Sequence, residues 1–144
     1  MLGTYITESL DETKGLAKKV AKKIAIGTVV ALIGDLGTGK TAFTQGFAKA
    51  LGINEAVGSP TFKLISEYAG TENLLYHIDC YRLTNTQQFM NIGGEEYLDP
   101  TNGIALIEWA DIIKEILPNN TLFINFKRIP GKLNRREITI SSIQ

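Results

Sequence analysis

The stretch "TVVALIGDLGTGKTAF" (28–43) decides the predicted fold, because it joins a buried strand to a helix through a glycine-rich loop. Its first part is a continuous apolar run ending in Gly34, which is typical of a strand covered on both faces in a parallel sheet. The order strand, loop, helix indicates an α/β fold. The helix is predicted from apolar side chains at helical spacing that stop at a glycine: Phe43, Phe47, Ala50, Leu51 and then Gly52.

The loop has the spacing G-x-x-x-x-G-K-T, which is the pattern of a phosphate-binding loop, although a simple helix-capping turn is the alternative. In such a loop, backbone N–H groups and the start of the following helix converge on phosphate oxygens. We expect Lys40 to contact the β- and γ-phosphates and the Thr41 hydroxyl to bind Mg²⁺. The predicted nucleotide-binding residues of the loop are Gly34, Asp35, Leu36, Gly37, Thr38, Gly39, Lys40 and Thr41.

Length and composition predict one domain over residues 1–144. Lys and Arg total 15 and Asp and Glu total 15, so the net charge of zero indicates neither a nucleic acid nor a membrane as a standing partner. Cys80 is the one cysteine, which excludes an internal disulfide and a cysteine-rich zinc site. No signal-peptide pattern and no apolar run near the roughly 20 residues of a membrane span is present, so we expect a cytoplasmic protein.

Other patterns predict a first helix and several strands. Ser9 with Glu12 forms the pattern of a capping box, followed by apolar residues at helical spacing: Leu10, Leu16, Ala17, Val20 and Ile24. Strands are predicted at 62–68 and 74–83, paired through a turn at 70–73, then at 103–109, and in two runs of 121–142 around Pro130 and Gly131. We predict a P-loop NTPase-like three-layer α/β sandwich with a mixed, mostly parallel sheet and antiparallel additions.

Two acidic residues follow apolar runs, Asp79 after 74–78 and Glu108 after 104–107. A strand-end acid most often only meets solvent, but a phosphate loop with Mg²⁺ also needs a carboxylate from a neighbouring strand. One carboxylate would bind the metal while the other holds a metal-bound or attacking water. The residues alone leave open which acid has which role.

Five segments in this order resemble one known family: "GDLGTGKT" (34–41), "SPTF" (59–62), "HIDCYRL" (77–83), "GGEEYL" (93–98) and "LIEW" (106–109). They are similar to the bacterial tRNA threonylcarbamoyladenosine biosynthesis ATPases of the TsaE family, formerly YjeE. The resemblance implies a single P-loop ATPase domain that uses ATP and Mg²⁺. Its role would be in placing a threonylcarbamoyl group on the tRNA adenosine next to the anticodon.

The same resemblance implies partners. The transferase TsaD and its partner TsaB would make the new bond, with tRNA contacted inside that complex. Hydrolysis of ATP, weak in the isolated chain, would permit repeated turnover of the transferase.

Site roles follow from the resemblance position by position. Lys40 and the loop would bind phosphates, Thr41 and Glu108 would hold magnesium, and Asp79 would be a catalytic or water-positioning acid. The implied catalytic residues are therefore Lys40, Asp79 and Glu108.

At three further positions the family match either has an alternative interpretation or is incomplete. Residues 59–61 match a switch-like segment in which the Thr61 hydroxyl would sense the γ-phosphate, although a plain turn before a strand is the alternative. Trp109 matches the tryptophan after the acid, but in an extended chain it would point away from Glu108 and could equally be a core aromatic. Ala42 replaces a Thr or Ser that the family often has, which removes an auxiliary phosphate contact.

The remaining conspicuous residues have simpler interpretations. His77 lacks metal-ligand partners at suitable spacing and is interpreted as a packed or hydrogen-bonded strand residue. Cys80 is expected in the core, and Arg82 as a charge-stabilising group is a minority interpretation. The basic run 127–136 is either a solvated hairpin, a tRNA-facing patch or a base-side contact with the nucleotide through Lys132.

Proteins with other functions also contain a phosphate-binding loop of this kind. A small-molecule kinase would need a second-substrate pocket that the sequence does not reveal, and a GTPase would need an Asn-Lys-x-Asp segment that is absent. A non-hydrolysing, nucleotide-sensing adaptor is a further alternative, because Asp79 and Glu108 could serve only to bind the metal.

Overall fold

The protein is described here by a computed structural model covering residues 1–35, 37–58, 64–71 and 73–142. The strands are β1 Gly3–Thr7, β2 Val29–Ile33, β3 Ile65–Ala69, β4 Leu74–Asp79, β5 Gly103–Glu108, β6 Leu122–Ile129 and β7 Lys132–Ser142. The helices are α1 Leu10–Lys23, α2 Lys40–Ala50 and α3 Thr86–Asn91, with 3₁₀ helices at Gly94–Leu98 and Ala110–Ile116. Among these described residues, no helix has the length and apolar character needed to cross a membrane.

The strands form one seven-stranded sheet in the order β1-β7-β6-β2-β5-β4-β3. Its centre is parallel, because β2 pairs with both β5 and β6, and β4 pairs with β5. Both edges are antiparallel, with β3 against β4 on one side and β7 followed by β1 on the other. The predicted fold class and both predicted hairpins are confirmed. The parallel pairing also brings the carboxyl ends of β2, β4 and β5 to the same edge of the sheet.

Helices cover both faces of the sheet, as a three-layer sandwich requires. The side chains of β2 alternate between the faces, with Val30 and Leu32 in the cluster under α1 and α2, and Val29 and Ala31 in the cluster under α3 and the 3₁₀ helices. All four are fully buried. The unbroken apolar run of β2 is therefore explained by burial on both sides.

Helix α1 begins at the predicted residue, but its cap differs from the predicted capping box. The Ser9 hydroxyl accepts a hydrogen bond from the Glu12 N–H at 3.1 Å, as expected. The Glu12 carboxylate reaches one residue further back and accepts from the Glu8 N–H at 3.0 Å. Leu10, which helical spacing assigned to the apolar face, is 59% exposed.

Strand β4 ends at Asp79 rather than at the predicted Leu83. The Asp79 carboxylate accepts from the Tyr81 N–H at 2.9 Å, and the Leu83 N–H donates to the Cys80 carbonyl at 3.0 Å. These bonds turn the chain over residues 80–83, because a side chain that bonds the backbone two residues ahead competes with strand pairing. Cys80 is fully buried, so its predicted place in the core is confirmed.

Helices α1 and α2 approach each other closely where α2 has a glycine. A Cβ at Gly46 would lie 2.5 Å from the Lys14 carbonyl oxygen and 2.7 Å from the Lys14 Cα. Both neighbours are backbone atoms, so a larger residue could fit only if the helices moved apart. Gly46 therefore sets how closely α1 packs against the middle of α2.

We expect Gly46→Ala to lower the free energy of unfolding by about 1–3 kcal/mol, because overpacking a helix contact forces backbone shifts. Gly15→Ala is the matched control, since Gly15 lies within α1 and a Cβ there would meet no atom within 4 Å. That control should raise stability by about 0.5–1 kcal/mol through better helix propensity. Urea unfolding of both variants measures the difference, and equal effects would contradict the close contact.

Candidate functional site

The glycine-rich loop (residues 34–41) links the end of β2 to the start of α2. Gly37 and Gly39 have φ of +74° and +102°, a region that side chains other than glycine rarely adopt. The Thr38 hydroxyl donates to the Asp35 carbonyl at 2.7 Å within the loop. The predicted loop residues apart from Leu36, which lies outside the described residues, thus form a turn that leads into a helix N-terminus.

Lys40 is the first residue of α2 and is only 5% exposed. Its ammonium donates to the Gly34 carbonyl at the other end of the loop and lies 4.0 Å from the centroid of the Trp109 ring. Burial lowers the pKa of this ammonium, and the charges of Glu108 and Asp79 oppose part of that shift. The cation is therefore held inside the loop by backbone, aromatic and acidic neighbours.

Trp109 reaches Lys40 because the chain does not stay extended after β5. Its φ of +57° and ψ of +40° are left-handed, which is unusual for a residue with a bulky side chain. This turn places the indole on the side of Lys40, where it packs against Tyr81 with ring centroids 5.0 Å apart. The extended backbone assumed for the core-aromatic alternative is therefore not observed, although the partly buried Trp109 also packs against the core cluster on the α3 side of the sheet.

The two predicted acids lie side by side, because Asp79 of β4 is the register partner of Glu108 of β5. Glu108 is 3% exposed, and its Oε2 is 2.6 Å from Nε2 of the fully buried His77. Burial raises the pKa of the Asp79 carboxyl, and the neighbouring charge of Glu108 adds to that shift, while the Tyr81 N–H and Lys40 oppose it. Two adjacent acids in different environments are thus present beside one lysine.

His77 is a buried, hydrogen-bonded residue of β4, as predicted, and its partner is one of the two predicted acids. It precedes Asp79 by two positions, so both side chains leave the same face of β4. Its contact with Glu108 uses one carboxylate oxygen and fixes the orientation of that side chain. A histidine two positions before a strand-end acid is a signal that could have indicated this contact.

A cavity of about 580 Å³ opens over the start of α2. It is lined by loop and acid residues on one side and by the first turns of α1 on the other: Gly37, Gly39, Lys40, Thr41, Ala42, Gln45, Asp79, Tyr81, Glu108, Trp109, Leu10 and Lys14. The volume falls within the range of small-molecule sites. One cavity therefore brings together the predicted phosphate-binding lysine, the predicted metal-binding hydroxyl and both predicted acids.

The donor set of this cavity fits magnesium better than a metal bound by protein alone. Within the described part of the chain, no group of three or more His, Cys, Asp or Glu residues could hold a metal ion. Mg²⁺ typically takes one or two carboxylates with water and phosphate oxygens. Thr41 with Glu108 or Asp79 matches that requirement if a phosphorylated ligand supplies the remaining oxygens.

Other predicted residues lie outside this cavity or outside the described residues. Thr61 and the rest of the segment 59–61 belong to the part of the chain that the structure does not describe. Lys132 is exposed at the start of β7 and is not among the residues lining the cavity. The basic hairpin instead contacts the loop through Arg136, whose Nη2 donates to the Gly37 carbonyl at 3.1 Å.

Comparison with known proteins gives a consistent assignment. The model of the family "Threonylcarbamoyl adenosine biosynthesis protein TsaE" matches residues 7–138. The tRNA threonylcarbamoyladenosine biosynthesis protein TsaE of Bacillus subtilis (strain 168) is 43% identical over 137 residues, which are 95% of this chain and 84% of the relative. The protein with the same name from Treponema pallidum (strain Nichols) is 37% identical over 136 residues, which are 94% of this chain and 98% of the relative.

A solved structure agrees with these sequence relatives. The crystal structure of Bacillus subtilis YdiB superposes with a TM-score of 0.78 and 38% identity, covering 98% of this chain and 85% of that chain. Because the family model and relatives above 35% identity span most of its length, this chain belongs to the TsaE family, which acts in tRNA threonylcarbamoyladenosine biosynthesis.

Proposed function

We propose that this chain is a magnesium-dependent ATPase that drives repeated turnover of the tRNA-modifying transferase formed by TsaD and TsaB. The observation that supports this best is the single cavity in which Lys40, Thr41, Asp79 and Glu108 meet at the glycine-rich loop. This donor set fits phosphoryl transfer, in which the protein mainly positions the phosphates and stabilises charge.

The phosphates of ATP would lie against the loop and the N-terminus of α2. Backbone N–H groups there have no partner inside a helix and favour an anion. The Lys40 ammonium, which donates to the Gly34 carbonyl, would turn to the β- and γ-phosphates. Thr41 and Glu108 would hold Mg²⁺, which supplies charge stabilisation at the transferred phosphoryl group.

Asp79 is the proposed acid for the attacking water. It lines the cavity next to Glu108, and burial raises the pKa of its carboxyl. A raised pKa makes a carboxylate a stronger base at neutral pH. The Tyr81 N–H orients Asp79 through one carboxylate oxygen, so the acid is held beside the cavity rather than free in solvent.

Coupling to the transferase is proposed to run through the segment 59–61. The γ-phosphate would order this segment through the Thr61 hydroxyl and favour docking on TsaD and TsaB, and hydrolysis would reverse the ordering. Transfer RNA would be contacted inside that complex, in the cytoplasm. Hydrolysis by the isolated chain would be weak, because the partner completes the active arrangement.

The experiment is a binding measurement with purified TsaD and TsaB in ATP and in ADP, followed by ATP hydrolysis with and without the partners. We expect tighter association in ATP and hydrolysis that rises with the partners. Equal association in both nucleotides would overturn the coupling. Nucleotide-dependent association without hydrolysis would instead identify a nucleotide-sensing adaptor, and a phosphorylated small molecule among the products would identify a kinase.

A further inference from the structure

His77 lies beneath the cavity rather than at its surface. It is fully buried, and it is not among the residues that line the cavity. Leu75, two positions before it on the same face of β4, belongs to the apolar cluster under α1 and α2. An imidazole in such a layer loses its hydration, whereas an apolar side chain of similar size would not carry that cost. This position therefore indicates a role for His77 other than packing.

The imidazole contacts Glu108 across two neighbouring strands. Leu106 of β5 is the register partner of His77, and Glu108 follows two residues later on the same face, so the contact is diagonal. Nε2 of His77 lies 2.6 Å from Oε2 of Glu108, and both residues are almost completely buried. Because Oε2 is bonded from below, Oε1 is the oxygen that remains for the cavity lined by Glu108.

The other imidazole nitrogen shows which of the two carries the hydrogen. Among the described residues, Nδ1 of His77 has no hydrogen-bond partner. A hydrogen on Nδ1 would therefore be an unsatisfied buried donor, whereas a hydrogen on Nε2 is directed at a carboxylate oxygen. His77 is accordingly the donor in this contact, and Glu108 is the acceptor.

We propose that His77 is a positioning residue for the magnesium ligand: its Nε2–H holds Oε2 of Glu108 and thereby directs Oε1 to the metal. The inference rests on the proposed function, in which Glu108 binds Mg²⁺, and it adds the residue that orients this ligand. A carboxylate that is already fixed through one oxygen loses less freedom when the metal binds, so the metal is bound more tightly. His77 itself contacts neither nucleotide nor metal.

The experiment measures how ADP binding depends on magnesium, by titration calorimetry over a series of magnesium concentrations and in EDTA. His77→Leu retains a side chain of similar volume and removes the donor. It should raise the magnesium concentration needed for half-maximal ADP binding by about tenfold, because loss of a group that orients a metal ligand weakens metal binding by about that factor or more. ADP binding in EDTA should be unchanged. His77→Gln, which places an amide N–H near the position of Nε2, should restore most of the magnesium dependence.

Two controls separate positioning from packing. Leu75 is fully buried in the same apolar layer, so Leu75→Ala should lower stability and leave the magnesium requirement unchanged. In the second control, His77→Leu is added to Glu108→Gln. It should raise the magnesium requirement no further, because the two residues act through one contact.

A spectroscopic measurement tests the hydrogen-bond assignment in wild-type protein. His77 is the only histidine of the chain, so ¹⁵N-labelled histidine in untagged protein gives the spectrum of a single imidazole. The two ring nitrogen shifts should place the hydrogen on Nε2 and leave Nδ1 without one. A hydrogen on Nδ1 alone would overturn the assignment of His77 as the donor.

The outcomes separate this inference from the proposed function. A wild-type magnesium requirement in His77→Leu, an equal shift in Leu75→Ala, or a further shift when His77→Leu is added to Glu108→Gln would each overturn the inference. Weaker ADP binding in EDTA would also overturn it, because His77 would then act through the loop. Wild-type protein whose ADP binding does not respond to magnesium would overturn the proposed metal site, and wild-type protein that binds no ADP would overturn the proposed function itself.

Discussion

Lys40→Ala is expected to weaken ATP binding by about a hundredfold and to abolish multiple-turnover tRNA modification, because the two charge-assisted contacts proposed between Lys40 and the phosphates would be lost. In the structure the Lys40 ammonium is buried at the loop, with the Gly34 carbonyl and the Trp109 ring as neighbours. The substitution removes the cation that lies inside the glycine-rich loop. Calorimetry with ATP and a reconstituted modification assay with TsaD, TsaB and tRNA measure the two effects.

Lys49→Ala is the matched control for charge and helix. Lys49 lies in the last turn of the same helix and is exposed, far along α2 from the loop. This variant should bind ATP and support modification like the wild type. A first turnover by transferase that is already loaded should be less affected by Lys40→Ala than later turnovers. Unaltered ATP binding in Lys40→Ala would remove the basis of the proposed function.

The parallel centre of the fold was predictable because burial on both faces leaves an unmistakable pattern. All six residues of β5 are buried, and the sequence there is an uninterrupted apolar run up to Glu108. The β6–β7 hairpin was equally predictable from the sequence, because Pro130 and Gly131 interrupt two strand-like segments. In the structure Gly131 has a φ of +78°, as a turn glycine often does.

Two short elements, strand β1 and helix α3, were not predicted. Strand β1 is short and mostly exposed, and it becomes a strand because it pairs with β7, with Gly3 opposite Ile140. Helix α3 has only six residues, which is too short for a helical period to be recognised. Its cap was a usable signal, since the Asn85 side chain accepts from the Gln88 N–H at 2.9 Å.

The candidate site likewise has one part that was predicted from the sequence and another that was not. The meeting of Asp79 and Glu108 followed from their place at the ends of two apolar strands, and the register confirms that they are neighbours. The turn of Trp109 onto Lys40 was not predicted, and His77 was predicted to be packed or hydrogen-bonded without Glu108 being named as its partner. Both depend on geometry that periodicity does not contain, a left-handed backbone in one case and a contact between neighbouring strands in the other.

The different surroundings of the two acids support different roles. Glu108 is nearly fully buried and is fixed by His77 through one oxygen, which suits a ligand that must keep one orientation. Asp79 is half-buried, and burial raises the pKa of its carboxyl, which suits a group that accepts or positions a proton. Substitution by the isosteric amide retains the shape of each side chain and removes its charge.

Glu108→Gln is therefore expected to raise the magnesium concentration needed for half-maximal hydrolysis by about tenfold or more, because the proposed metal ligand would lose its charge. Asp79→Asn should lower kcat by about a hundredfold at saturating magnesium with the magnesium requirement unchanged. Steady-state ATP hydrolysis in the presence of TsaD and TsaB, titrated with magnesium, separates the two effects. Asp111→Asn is the control, since Asp111 influences Lys40 through its charge but is exposed and does not line the cavity. If Glu108→Gln has the magnesium dependence of the wild type while Asp79→Asn does not, the two roles are reversed, and if neither variant changes it, both acids lose their proposed place at the metal.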